Sequence, residues 1–201
     1  MKNNRLTIAL LSVIAVLLAG ILGVVILKEN GSMDMDMGHD MGSHMSGSSN
    51  SSDTGFTGAD TMFLQMMIPH HQQAVDISEV ALKVSKNAEL LALAKIIMRD
   101  QKSEILQMKS WLQLAGSSED MGHSMKNMGG MLGEEELKAL NEATGKEFDV
   151  LWLKGMIGHH DGAIHMSEMI RDANNPEIKA FGEKIVKDQS AQIAQMKKML
   201  A

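Results

Sequence analysis

The stretch GMIGHHDGAIHMSEM at 155–169 restates, with changes, MMIPHHQQAVDISEV at 66–80. With residue 60 set against 149, 9 of 21 positions are identical. They include the double histidines His70-His71 and His159-His160, Met67 and Met156, Ala74 and Ala163, and the Ser-Glu pairs at 78–79 and 167–168. Neither copy holds a nucleophile–base pair or a phosphate-binding loop. Both offer imidazole and thioether at helical spacing, which is the donor set of a metal site.

Apolar residues around the first copy recur at 63, 67, 74, 77, 81 and 84, one stripe of a helix spanning about 59–85. A second helix is expected over about 88–114 and a short one over 134–142, with an acidic first turn. A long helix over 146–172 repeats the first stripe, and a last one covers about 177–200. Residues 97–109 match 185–197 at 7 of 13 positions, including Asp100/Asp188, Gln101/Gln189 and Met108/Met196. The repeated unit is therefore a helical hairpin. One hairpin cannot bury its stripe alone, whereas two can bury each other's. The expected fold is all-α: an antiparallel four-helix bundle over 59–201, with a Met-rich connection at 117–133.

His70 and His159 fall in the middle of their stripes, and His71 and His160 lie 100° round on the flank. In antiparallel hairpins His70 comes level with 101–104 and His159 with 189–192. Gln101 and Gln189 are thus the expected partners of the inward histidines. Such pairs fit satisfied core polar residues as readily as metal ligands. Thioethers shift the balance toward metal. Met66 stands one turn before His70, Met67 one turn before His71, Met156 one turn before His160, and Met166 two turns after His159; residues four apart on a helix are neighbours. His165 and Met169 make a further pair on the outer face. Pro69 and Gly158 each directly precede a double histidine, and both weaken a helix, so a bend that aims the imidazoles is expected there.

Methionine supplies 20 of the 201 residues, and cysteine none. That excludes disulfides and zinc–thiolate sites. Thioether and imidazole without thiolate select Cu(I), and by the same softness Ag(I), over hard cations. A net charge of −6 argues against a nucleic-acid partner. Two Gly-rich segments hold thioethers with nothing to pack against. One carries Met33, Met35, Met37, His39, Met41, His44 and Met45; the other carries Met121, His123, Met125, Met128 and Met131. Both are expected to be accessory metal collectors.

Residues 6–27 are 22 nearly unbroken apolar residues, enough for a bilayer span of ~20. Lys2 and Arg5 precede them, which places the N-terminus in the cytoplasm and the rest outside. The expected organisation is a membrane anchor at 1–28, a Met/His/Gly/Ser-rich flexible tether at 29–58, and the helical domain at 59–201. A cleaved signal peptide is the alternative, although the apolar run is long for one.

The pattern F-D-x-x-W-L-x-x-M-I-x-H-H-x-x-A-I-x-M-S, followed by D-Q-x-x-x-I-x-x-M-K, resembles the domain-of-unknown-function 305 family over about residues 59–200. The resemblance implies a ferritin-like fold and extracytoplasmic copper or silver binding in metal tolerance, as for its copper-binding metallochaperone members. The first copy departs from the pattern at Pro69, Asp76 and Val80. The leading expectation is a binding protein that sequesters, buffers or hands on copper to a transfer partner, without catalysis. Two others stand beside it: a mononuclear copper or iron oxidoreductase using the double histidines, and a membrane-anchored interaction domain whose histidines are structural. No Glu-x-x-His occurs, which counts against a carboxylate-bridged di-iron centre.

Overall fold

The computed structural model describes residues 55–120 and 129–201. The apolar run at 6–27, the tether with its Met33–Met45 cluster, and Met121, His123, Met125 and Met128 lie outside the described residues. Among those described there are five α-helices and no strand: α1 (Gly58–Val84), α2 (Ala88–Leu114), α3 (Glu134–Glu142), α4 (Gly145–Ser167) and α5 (Pro176–Leu200). None of these helices is long and apolar enough to cross a membrane.

The helix ends follow from local chemistry. A capping box opens α1: the Asp60 amide donates to the Thr57 hydroxyl at 3.2 Å, and the Thr57 amide donates to the Asp60 carboxylate at 2.8 Å. Helices α2 and α5 start alike, with the side-chain oxygens of Asn87 and Asn175 accepting from the second and third amides that follow. Pro176 then occupies the first turn of α5, where its missing N–H costs nothing. Gly116 closes α2 at φ +66, while the Ser117 amide reaches back to the Leu112 carbonyl and the Gly116 amide to that of Gln113. This reversal needs a left-handed residue.

Two hairpins result, α1 with α2 and α4 with α5, and they meet through α1 and α4. The short α3 packs on α4. One difference from the sequence expectation appears in α4: its α-helical part ends at Ser167, and residues 168–170 tighten into a 3₁₀ turn. Both α1 and α4 run through Pro69 and Gly158 as continuous helices. Proline costs α1 one hydrogen bond, to the Gln65 carbonyl, but does not end the helix.

The core is split in two. One apolar cluster gathers Ile77, Leu90, Leu93, Ile97, Phe148, Trp152, Met156 and Met196. The other gathers Phe63, Leu64, Met67, Ile105, Met108, Trp111, Ile170, Ile178 and Ile185. On each of the four long helices a polar stretch separates residues of the first cluster from residues of the second. These stretches are His70-His71, Gln101 to Glu104, His159-His160 and Gln189 to Gln192. They form one polar layer across the middle of the domain.

Candidate metal-binding layer

All four histidines of the double motifs are fully buried, at 0% exposure. His71 and His160, expected on the flank of the stripes, are as buried as the inward pair, because each long helix is covered by neighbours on more than its stripe. His70 and His159 meet on the seam between α1 and α4, with ring centroids 3.7 Å apart and planes inclined by 35°. Their partners are not the expected glutamines. The His159 Nε2–H donates to the His70 backbone carbonyl at 2.9 Å. No side chain pairs with the His70 ring, whose polar neighbour is the Gly129 backbone, and the buried carboxamides of Gln101 and Gln189 have no partner.

The second histidine of each pair is held instead. His71 Nε2 lies 2.8 Å from Glu104 Oε2, and His160 Nε2 lies 2.6 Å from Gln192 Oε1. Glu104 and Gln192 occupy equivalent places in the repeat, three residues after Gln101 and Gln189. The register over 101–104 and 189–192 is therefore as the sequence reading placed it, but the last residue of each window makes the bond. Neither Glu104 nor Gln192 was among the residues singled out. Their spacing of three from the inward glutamines, on the same helix face, was the available signal.

Each of these three contacts ends on an oxygen acceptor, so the proton sits on Nε2 of His71, His159 and His160. Their Nδ1 atoms are buried lone pairs without a protein partner. A histidine that binds metal typically donates its other ring N–H to a carbonyl or carboxylate, which fixes its tautomer and orientation. Three of the four rings already have that arrangement.

Burial disfavours charge on His70, His159 and His160. His70 is pushed down to about 3, first by loss of water and then by His71 and His160; the Gly129 backbone opposes this least of all. His160 is pushed down to about 4 by burial, against the opposing bond to Gln192. Burial also holds His159 well below its usual value. For Glu104, burial favours the acid form, but His71 and Lys184 together outweigh it and the carboxyl stays below its ordinary range. The Lys184 ammonium, 2.6 Å from Glu104 Oε1 and 3.0 Å from Asp188 Oδ2, is raised by those contacts despite partial burial.

The predicted thioethers divide by depth. Met67 and Met156 are fully buried and Met166 nearly so, all packed in the apolar clusters that border the layer. Met66 is half-buried. His165 is exposed and Met169 is 36% exposed, but the 3₁₀ turn after Ser167 means they do not share a regular helical face. No group of three or more His, Asp or Glu side chains among the described residues is arranged to hold a metal ion.

The layer has a roof on one side. The Gln73 side chain, one turn after His70, donates to the Leu132 carbonyl at 3.0 Å and accepts from its amide at 2.8 Å. This fixes the last residues of the connection between the hairpins. Gly129 and Gly130 lie directly on Gly162 of α4: a Cβ at Gly162 would sit 2.7 Å from the Gly130 Cα and collide with the Gly129 carbonyl. A Cβ at Gly155 would lie 2.9 Å from the Leu132 side chain. Position 158, by contrast, has open space. The glycines that the fold requires at this contact are thus Gly162 and Gly130, not Gly158.

The family described as a domain of unknown function, DUF305, matches residues 60–200. No curated protein matches the chain. Among solved structures, a DUF305 fragment from Deinococcus radiodurans shares 30% identity, covers 72% of this chain and 96% of its own, and superposes with a TM-score of 0.67. A DUF305 protein from Streptomyces coelicolor shares 28% identity over 71% of this chain and 91% of its own, also at 0.67. CopM in its Cu(I)-bound form shares 35% identity over 70% of this chain and 94% of its own, with a TM-score of 0.58. The chain belongs to the DUF305 family.

Proposed function

We propose that this protein binds Cu(I), and by the same softness Ag(I), outside the cytoplasmic membrane, and sequesters, buffers or hands on the ion without chemical turnover. One observation carries the reading. Three buried imidazoles, His71, His159 and His160, donate Nε2–H to a fixed oxygen and keep Nδ1 without a protein partner. A buried polar group left unpaired costs about 1–3 kcal/mol. A layer with several such atoms weakens the fold, which is intelligible if their lone pairs serve a ligand.

The donor chemistry suits a soft monovalent ion. Imidazoles in pairs, with Met67, Met156 and Met166 in the bordering clusters, offer nitrogen and thioether and no thiolate. Neutral imidazoles need lose no proton to bind. CopM, similar over the whole helical domain, is known in Cu(I)-, Cu(II)- and Ag-bound forms. In this reading the four long helices act as a ferritin-like four-helix bundle around the layer. The two Met/His segments collect metal at the periphery. The apolar run at 6–27 anchors the chain, with the helical domain extracytoplasmic and able to meet a copper-transfer protein.

The test is a Cu(I) competition titration of the full chain in detergent against a chromogenic chelator. It is repeated with His71→Ala/His160→Ala and with the loop methionines of 33–45 and 121–131 changed to leucine. The reading expects loss of a tight class of site in the histidine variant and loss of weaker sites in the leucine variant. Unchanged affinity and stoichiometry in the histidine variant would end it. Oxygen consumption by the copper-loaded protein, followed in parallel, separates a binder from an oxidase.

A further inference from the structure

The histidine layer is sealed, so an ion or reagent must displace something to reach it. The segment that covers the α1–α4 seam is Gly129–Leu132, anchored at its far end by the Leu132 side chain, which is buried in the first apolar cluster against Gly155. Leu132 is tied by the two hydrogen bonds to Gln73, and the next residue by the Gly133 amide donating to Glu136 at 2.9 Å. Gly129 and Gly130 make close van der Waals contact with Gly162 rather than interlocking side chains. The Gly129 backbone is near enough to His70 to influence its proton affinity. Outside the segment lies a cavity of about 520 Å³, lined by Met131, Leu132, Lys154, Gly155 and Gly158 among others. Met131, half-buried, places a thioether there.

We infer that residues 129–132 form a strap that controls access to His70 and His159, with Gln73 as its latch and Gly162 as its seat. The repeat supports a dedicated arrangement. Gln73 and Gly162 stand at equivalent positions of the two copies, yet differ: one ties the strap and the other makes room for it. Lifting Gly129–Gly130 from Gly162 opens the seam from the cavity side. The proposal takes its purpose from the copper reading: Met131 receives the ion in the cavity and the inward histidines take it when the strap lifts. The strap's control of access is independent of that reading.

The experiment uses metal-free full-length protein in detergent. Diethyl pyrocarbonate acylates accessible neutral imidazole, and mass spectrometry follows each histidine, with exposed His165 as internal reference. In the native chain His70 and His159 should react far more slowly than His165. Gln73→Leu, which removes both bonds, and Gly162→Ala, which pushes the strap off its seat, should each accelerate them at least tenfold. Leu112→Ala, in the distant apolar cluster, lowers stability without touching the strap and should not. Equal acceleration by Leu112→Ala, or none in the two strap variants, overturns the proposal. Cu(I) release to a chelator is then timed in the same variants. Parallel acceleration, with slower loading in Met131→Leu, supports the strap as the metal route. Faster acylation with unchanged copper kinetics overturns that route. Absence of copper from the histidines would count against the binding reading, while acylation still decides the strap.

Discussion

His70 and His159 face each other across the α1–α4 seam, ring centroids 3.7 Å apart, and the His159 Nε2–H is bonded to the His70 carbonyl. Burial disfavours charge on each ring, and two protonated imidazoles at that separation would also repel, so the fold favours both neutral. This couples stability to pH. The folded values of about 3 for His70 and about 4 for His160 lie below the ordinary 6.5. The unfolded chain therefore binds more protons as pH falls through 6.5, and stability drops from there down to the folded values. At pH 5 each such histidine costs up to about 2 kcal/mol. Below about pH 4.5 the loss of the Glu104 carboxylate adds to this, since its acid form is also disfavoured in the fold. Urea midpoints of the metal-free protein at pH 7.5, 6 and 5 should fall in that order. Constant midpoints across this range would contradict the neutral layer.

Glu104 and Gln192 hold equivalent histidines, yet only Glu104 carries charge and only Glu104 meets Lys184. Glu104→Gln makes the first copy resemble the second. The His71 bond survives with an amide oxygen as acceptor, while the contact to Lys184 weakens. Hydrogen bonds to charged groups contribute about 1.5–3 kcal/mol, and Lys184 is half-exposed, so water screens part of its share. A loss of about 1–2 kcal/mol in urea unfolding is expected, with a larger one for Glu104→Ala, which strands the His71 Nε2–H. Equal stability of Glu104→Ala and the native chain would mean that the carboxylate does not hold His71.

Much of this architecture was legible in the sequence because it is periodic and duplicated. The stripes place all five helices to within a residue or two at most ends. The hairpin register also follows from counting residues back from the turns. What counting does not give is rotation about each helix axis. The rotation decides that Glu104 rather than Gln101 makes the bond, and packing on more than one face buries His71 along with His70. The seat of the strap was hidden for another reason. Gly162 matters through contact with residues more than thirty positions away in sequence, and nothing local in GMIGHHDG separates it from Gly158. The apolar run at 6–27, the Met33–Met45 segment and residues 121–128 lie outside the described residues, so for them the sequence remains the only guide.

Pro69 stands inside an uninterrupted α1, one residue before His70. Proline in a helix interior costs roughly 3 kcal/mol relative to alanine in model helices, through the missing N–H and ring crowding. Pro69→Ala restores a donor to the Gln65 carbonyl and should stabilise the domain by about 1–3 kcal/mol. Thermal or urea unfolding measures this directly. A variant no more stable than the native chain would show that the surrounding structure already accommodates the proline.

The carboxamides of Gln101 and Gln189 are the plainest sign that the layer is not built for stability. Both are buried in the same cross-section as the histidines, and neither nitrogen nor oxygen has a protein partner. Methionine is close to glutamine in shape and has no strong hydrogen-bonding group to satisfy. Replacing an unpaired polar group by an apolar one of similar shape is neutral or stabilising, by up to about 1–3 kcal/mol here. Gln101→Met and Gln189→Met should therefore raise the urea midpoint of the metal-free protein, alone and together. Loss of more than about 1 kcal/mol in either would mean that its carboxamide is satisfied after all, and that the layer is an ordinary polar core rather than a set of donors held open for a ligand.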